Sequence, residues 1–166
     1  MSAESTTSRT SPGSPSSTYY RAPGRTTAAF NRLVGWLARR GLSLQGSAEL
    51  SVRGRKSGQP QRLPVNPLPF RGEEYLVSAR GTSQWVRNMR AAGGGELRLG
   101  RRVREFTATE VPDAEKPEIL RVYLKRWGWE VGEFFRGVTA ESSDATLLAA
   151  APDHPVFRIT VKDAPR

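Results

Sequence analysis

Cysteine is absent from the 166 residues, histidine occurs once and methionine twice. The first absence removes every disulfide, every thiolate zinc site and every cysteine nucleophile. One imidazole, His154, is all that a Ser-His-Asp triad has to draw on. No apolar run approaches the ~20 residues of a membrane helix. The first residues lack the apolar stretch of a signal peptide. Carboxylates are scarce as well: 16 Asp and Glu against 26 Lys and Arg, a net charge of +10. Paired carboxylates for acid–base work and a metal-ligating cluster are both missing from the pattern. The expectation is a soluble, cytoplasmic protein of one domain with an anionic partner. Its length suffices to hide roughly 70% of the unfolded surface.

The charge is unevenly spread. Residues 1–52 carry net +4, residues 53–104 net +9 and residues 105–166 net −3. The middle third is therefore the electrostatic footprint, and such a field attracts phosphates, nucleic acid or polycarboxylates. Nucleic acid is not the expected partner, because the chain has no RNP-like strand, helix-turn-helix pattern or zinc finger.

Residues 1–25 are Ser, Thr, Pro and Gly with almost no aliphatic side chains. They cannot bury enough apolar area to offset ordering entropy, so they read as a disordered tail, and 26–166 as the folded domain. A helix is predicted from Thr26 or Thr27 to Gly41, with Phe30, Leu33, Val34 and Leu37 on one face. Strand-like runs follow at Ala48–Val52, Leu63–Phe70 and Glu74–Ala79. The prolines at 64, 67 and 69 forbid regular central pairing of the second run. Arg71-Gly72-Glu73 reads as a hairpin turn. Ser83 is placed to cap a helix over Gln84–Ala92 that ends at Gly93-Gly94-Gly95. Glu96–Leu99 and Val103–Val111 form a further hairpin across Gly100-Arg101. Asp113 opens a helix with Ile119, Leu120, Tyr123, Leu124 and Trp127 on one face, interrupted at Gly128. A helical piece over Trp129–Phe135, a helix capped by Ser142 or Ser143 and a strand over Pro155–Val161 close the chain. Hairpin-linked strands with helices between them imply an α+β fold on a small antiparallel barrel, not a doubly wound parallel sheet.

The sharpest chemical signal is Arg53-Gly54-Arg55-Lys56-Ser57-Gly58. Two glycines permit a tight turn, and the residues between them supply charge and a hydroxyl, which makes an anion cradle. Arg62 and Arg80 are within reach if the strands pair. A second segment, Gly81 to Asn88, puts a helix N-terminus just after a strand, with Trp85 and Asn88 on one helix face. Tyr123, Trp127, Trp129, Phe134 and Phe135 make an aromatic cluster. His154, between Asp153 and Pro155, reads as a loop residue.

Taken together, RGRKSGQPQRLPVNPL, YLVSARGTSQWVRNMRAAGG and DHPVFRI resemble the deazaflavin-dependent nitroreductase family, from about Ala29 to Val161. These are actinobacterial reductases on a split β-barrel of about six antiparallel strands, and their cofactor is the 8-hydroxy-5-deazaflavin coenzyme F420. The resemblance implies that Arg55, Lys56, Ser57 and Arg62 meet the coenzyme's phosphate and oligoglutamate tail. Val65, Asn66 and Pro67 would line the deazaflavin ring, with Arg80, Trp85 and Asn88 beside ring and tail. Where the best-known branch carries Ser, this chain has Ala79. The stretch Gln61 to Pro64 also departs from that branch. The implied activity is hydride transfer from the reduced coenzyme to an electron-poor small molecule: an enone or other activated alkene, a quinone or a nitro compound. Tyr123 is the candidate proton donor beside solvent, and Tyr123, Trp127 and Trp129 would wall the acceptor side. The competing readings are a split barrel that binds FMN or FAD, and one that only sequesters cofactor.

Overall fold

The computed structural model describes residues 19, 20 and 48–162. The predicted helix over 26–41 and most of the predicted tail lie outside the described residues. Seven strands form one antiparallel sheet: β1 (Ala48–Arg53), β2 (Pro60–Val65), β3 (Leu68–Phe70), β4 (Glu73–Val77), β5 (Gly94–Leu99), β6 (Arg102–Glu110) and β7 (Val156–Val161). Their spatial order is β2-β1-β5-β6-β7-β4-β3. Between them lie the helices α1 (Gln84–Ala92), α2 (Lys116–Val131) and α3 (Asp144–Ala150).

The two edge strands, β2 and β3, are consecutive in sequence. Only Asn66 and Pro67 separate them, a span of about 10 Å at most for a fully extended chain. The sheet therefore has to curl until its edges nearly meet, yet no ladder joins them among the described strands. This is the expected split barrel. It has seven strands because Leu63–Phe70 is two strands rather than one. Proline explains both facts: Pro60, Pro64 and Pro69 fall on edge strands, where the missing N–H leaves no ladder partner wanting.

Local chemistry sets most boundaries. In the β3–β4 hairpin Phe70 faces Glu73, leaving Arg71 and Gly72 as a two-residue turn with φ 50° and 78°. Positive φ at both positions is the turn whose twist matches that of paired strands. Gly93, at φ 70°, ends α1 and returns its N–H to the Met89 carbonyl. Gly94 and Gly95 belong to β5 rather than to the helix stop. Ser83 is the residue before α1 as expected, but its hydroxyl makes no capping bond and is buried without a partner.

The second helix departs from the sequence reading at both ends. Asp113 starts a 3-10 turn (Asp113–Glu115), and α2 begins at Lys116, whose buried ammonium holds Asp113 Oδ1 at 2.6 Å and the Ala151 carbonyl at 3.0 Å. Gly128 does not interrupt it. A glycine inside a helix costs roughly 0.5–1 kcal/mol. Trp127 and Val131, both buried on the same face, outweigh that at roughly 1.5–3 kcal/mol for each large apolar side chain. A 3-10 turn over Gly132–Phe135 follows. Ser143 caps α3 by accepting from the Thr146 N–H.

The strands bury both faces. On β4, Tyr75 and Val77 pack toward α2 and α3, while Leu76 points to the other side. The first cluster gathers Leu68, Ile119, Leu120, Tyr123, Trp127, Phe135 and Leu147 between sheet and helices. The second fills the curl of the sheet with Leu50, Val52, Leu97, Phe106, Phe157 and three residues of α1: Trp85, Val86 and Met89. Among the described residues no helix is long and apolar enough to cross a membrane.

Candidate cofactor groove

Arg53 pairs with Pro60, so the β1–β2 connection is the six-residue loop 54–59. Its backbone is tied twice, Gly54 N–H to the Gln59 carbonyl (2.8 Å) and Gly58 N–H to the Gly54 carbonyl (2.9 Å). The Gln59 N–H donates to Ser57 Oγ at 3.2 Å. The loop is too tight for a side chain at Gly54. A Cβ there would lie 2.8 Å from Ser57 Oγ and 2.9 Å from the Gln59 carbonyl oxygen.

Beside this loop runs a groove of about 1070 Å³. One wall is the loop with Arg53, Arg55, Lys56 and Ser57. The other is the end of α1 and the start of β5, Ala91 to Gly95. Register places Arg62, Ser51, Glu96 and Glu105 directly opposite one another across β2, β1, β5 and β6, hence in one row on one face. All four line the groove. Where Gly94 and Gly95 pass, the lining is bare backbone, and a Cβ at Gly94 would fall 2.3 Å from the Phe106 carbonyl oxygen. Five cations (Arg53, Arg55, Lys56, Arg62 and Lys162) face two carboxylates, and Lys162 binds one of these, Glu105. Such a donor set fits a ligand with a phosphodiester and several carboxylates, which is the chemistry of the F420 tail.

The predicted site residues fall into separate groups. Arg55, Lys56, Ser57 and Arg62 do converge on the groove. Asn88 lies behind the loop, 5% exposed, with its amide bonded to Arg55 and Gln61. Val65, Asn66 and Pro67 lie where the chain crosses between the edge strands, and Asn66 donates to Glu130 at 3.4 Å. The Arg80 guanidinium stacks 4.3 Å above the Phe134 ring. Trp85 is buried against Phe157. None of these last five lines the groove.

Tyr123 is a core residue, packed on Trp127 and Phe135, and burial raises its pKa well above that of a free phenol. Of the aromatic cluster only Trp129 is exposed, at 70%; the other four rings are interior. They fill the first core cluster instead of walling a recess. His154 does lie in the loop before β7, but it is buried there, 1% exposed. Among the described residues no three His, Asp or Glu side chains gather as a metal would require.

Sequence reading missed the glycine pair, Thr107 and Lys162 as groove residues. The Gly93–Gly95 run stands out in the sequence, but only the folded sheet brings it to the groove.

A protein-family model described as F420H(2)-dependent quinone reductase matches residues 22–129. Among solved structures, one described as a domain-swapped dimer aligns over 78% of this chain and 92% of its own, at 17% identity and TM-score 0.50. An F420-H2 dependent reductase, FDR-A, aligns over 69% of this chain and 94% of its own, at 17% identity and TM-score 0.47. The Agrobacterium tumefaciens protein Atu2129, of unknown function, aligns over 76% of this chain at 17% identity and TM-score 0.49, and this chain spans 55% of its length. At 17% identity the likeness to the domain-swapped dimer is one of fold. A search among curated proteins returned no match. With nearly two thirds of its length under the family model, the chain belongs to the F420H(2)-dependent quinone reductase family, an oxidoreductase whose cofactor is coenzyme F420.

Proposed function

We propose that the protein seats the anionic tail of coenzyme F420 in the groove beside the β1–β2 loop and reduces a quinone or another electron-poor acceptor, such as an enone, a further activated alkene or a nitro compound. When bound, the reduced coenzyme supplies a hydride equivalent. The observation that carries this reading is the convergence of Arg53, Arg55, Lys56 and Arg62 on one groove beside bare backbone at Gly94 and Gly95.

The chain's own work in this scheme is binding and orientation. The four cations meet phosphate and carboxylate oxygens, each charge-assisted bond contributing roughly 1.5–3 kcal/mol before solvent screening. The Ser57 oxygen accepts from within the loop, which leaves its hydroxyl hydrogen to donate to an anionic oxygen. Val65, Asn66 and Pro67, at the gap between the barrel's edges, are the stretch assigned to the ring, with Arg80 nearby in the assignment. Tyr123 holds its proton inside the core, so the proton that completes reduction comes from solvent.

Parallel titration of the purified protein with oxidised F420, FMN and FAD tests the proposal. F420 should bind about tenfold tighter than FMN or more, since FMN lacks the polycarboxylate tail and its contacts. Equal or inverted affinities would overturn the assignment of the groove. Turnover of reduced F420 with a quinone, an enone and a nitroaromatic then ranks the acceptors.

A further inference from the structure

We propose that Asn88, with Gln84 and Gln61, is a neutral amide clamp that positions the cationic loop without discharging it. A buried amide must be satisfied, and the Asn88 amide is bonded at both its oxygen and its nitrogen. Its Oδ1 accepts from the Arg55 backbone N–H at 3.2 Å and from Arg55 Nη1 at 2.9 Å. Its Nδ2 donates to Gln61 Oε1 at 2.8 Å. Arg55 Nη1 also reaches Gln84 Oε1 at 2.9 Å. Gln84 and Asn88 are four residues apart, hence adjacent on one face of α1. That face grips the loop through the backbone and side chain of Arg55, and the adjoining strand β2 through the side chain of Gln61.

The residue types explain the arrangement. Arg53, Arg55 and Lys56 crowd three positive charges into four residues, and their repulsion opposes loop order. Aspartate at 88 or glutamate at 84 would hold Arg55 more firmly but would cancel charge in the groove beside it. Amides supply acceptors of no net charge. Order and field strength are thereby obtained together, which is the pre-organisation an anion site needs.

This inference rests on the reading of the groove as the cofactor's tail site, and the two are tested apart. Trypsin cuts after Arg53, Arg55 and Lys56 only when the loop opens. In cofactor-free protein, Asn88→Leu should be cleaved at these bonds about tenfold faster than wild type, with faster hydrogen exchange at the Arg55 amide. Asn88→Asp keeps the acceptor, so it should restore protease resistance. It should still bind F420 more weakly than wild type, with a shallower dependence on salt. In turnover, the loss in both variants should fall on KM for F420 rather than on kcat. Gln61→Leu, outside the helix, gives the same cleavage readout should Asn88→Leu fail to fold. Unchanged cleavage in Asn88→Leu and Gln61→Leu overturns the clamp even where wild type binds F420. Faster cleavage with no F420 binding by wild type upholds the clamp and overturns the groove assignment. Wild-type affinity in Asn88→Asp would show that neutrality at this position has no role.

Discussion

The imidazole of His154 lies flat on the ring of Phe135, with centroids 3.8 Å apart and planes inclined by 14°. Ser78 supplies a backbone carbonyl 3.3 Å from Nδ1. Burial holds the pKa down, from 6.5 to about 4, against the opposing pull of the Ser78 carbonyl and Asp153. The neutral ring is thus the native form.

From this follows a pH dependence of stability. Below about pH 6.5 the unfolded chain protonates its histidine, whereas the folded chain resists until about pH 4. Stability from this group is intact above the upper value and falls as the pH drops between the two, by a few kcal/mol at most. Urea unfolding at a series of pH values should show that decline, and His154→Gln should flatten it. The variant should be less stable at neutral pH, because the stacked ring is lost, yet its folded fraction should turn over within a few fold of wild type. His154 does not line the groove. An unchanged slope in His154→Gln would show that other groups carry the acid sensitivity.

Lys56 and Trp85 separate binding from packing. Lys56 is exposed in the loop, and no ion pair engages it among the described residues. Lys56→Ala should raise the F420 dissociation constant about tenfold and leave the melting temperature unchanged. Trp85 is 7% exposed against Phe157. Trp85→Ala should cost roughly 3–5 kcal/mol of stability through the cavity it opens. Isothermal titration and thermal melts distinguish the two. Intact F420 affinity in Lys56→Ala would remove the tail from this loop.

Tyr19 and Tyr20 test the reading of residues 1–25 as a dispensable tail. Composition alone predicts that deleting them leaves stability nearly unchanged. The Tyr19 carbonyl, however, accepts from the Thr82 N–H at 2.9 Å, and Tyr20 bridges to Gly81. The Tyr19 hydroxyl donates to the Phe134 carbonyl at 3.0 Å, its ring meets His154 edge-on, and Arg136 stacks on it at 4.2 Å. Tyr19→Ala should therefore lower the melting temperature by several degrees, for a loss of about 1–3 kcal/mol. Gly81→Ala should do likewise, since a Cβ there would sit 2.0 Å from the Tyr19 carbonyl oxygen. Melting curves of both variants beside wild type decide the point.

What the sequence determined by itself is whatever depends on near neighbours along the chain. The hairpin turn at Arg71-Gly72 needs positive φ, the cap at Ser143 needs a hydroxyl, and the tight cationic loop at 53–58 needs glycines around its cations. Each need is met within a few residues. Concentration of charge in the middle third was legible for the same reason, and so was the family motif. The tertiary structure alone decided which of the marked residues share a site. Strand register puts Arg62, Ser51, Glu96 and Glu105 in one row, though 43 positions separate Arg62 from Glu105 in the chain. Packing on the two faces of the sheet buries Trp85, Tyr123 and His154, whose types suit a pocket as well as a core. Folding likewise bonds the Asn88 amide to the backbone of a loop 33 residues away in sequence. Burial and hydrogen-bond partnership belong to pairs of surfaces brought together by folding, and one residue's identity does not contain its partner.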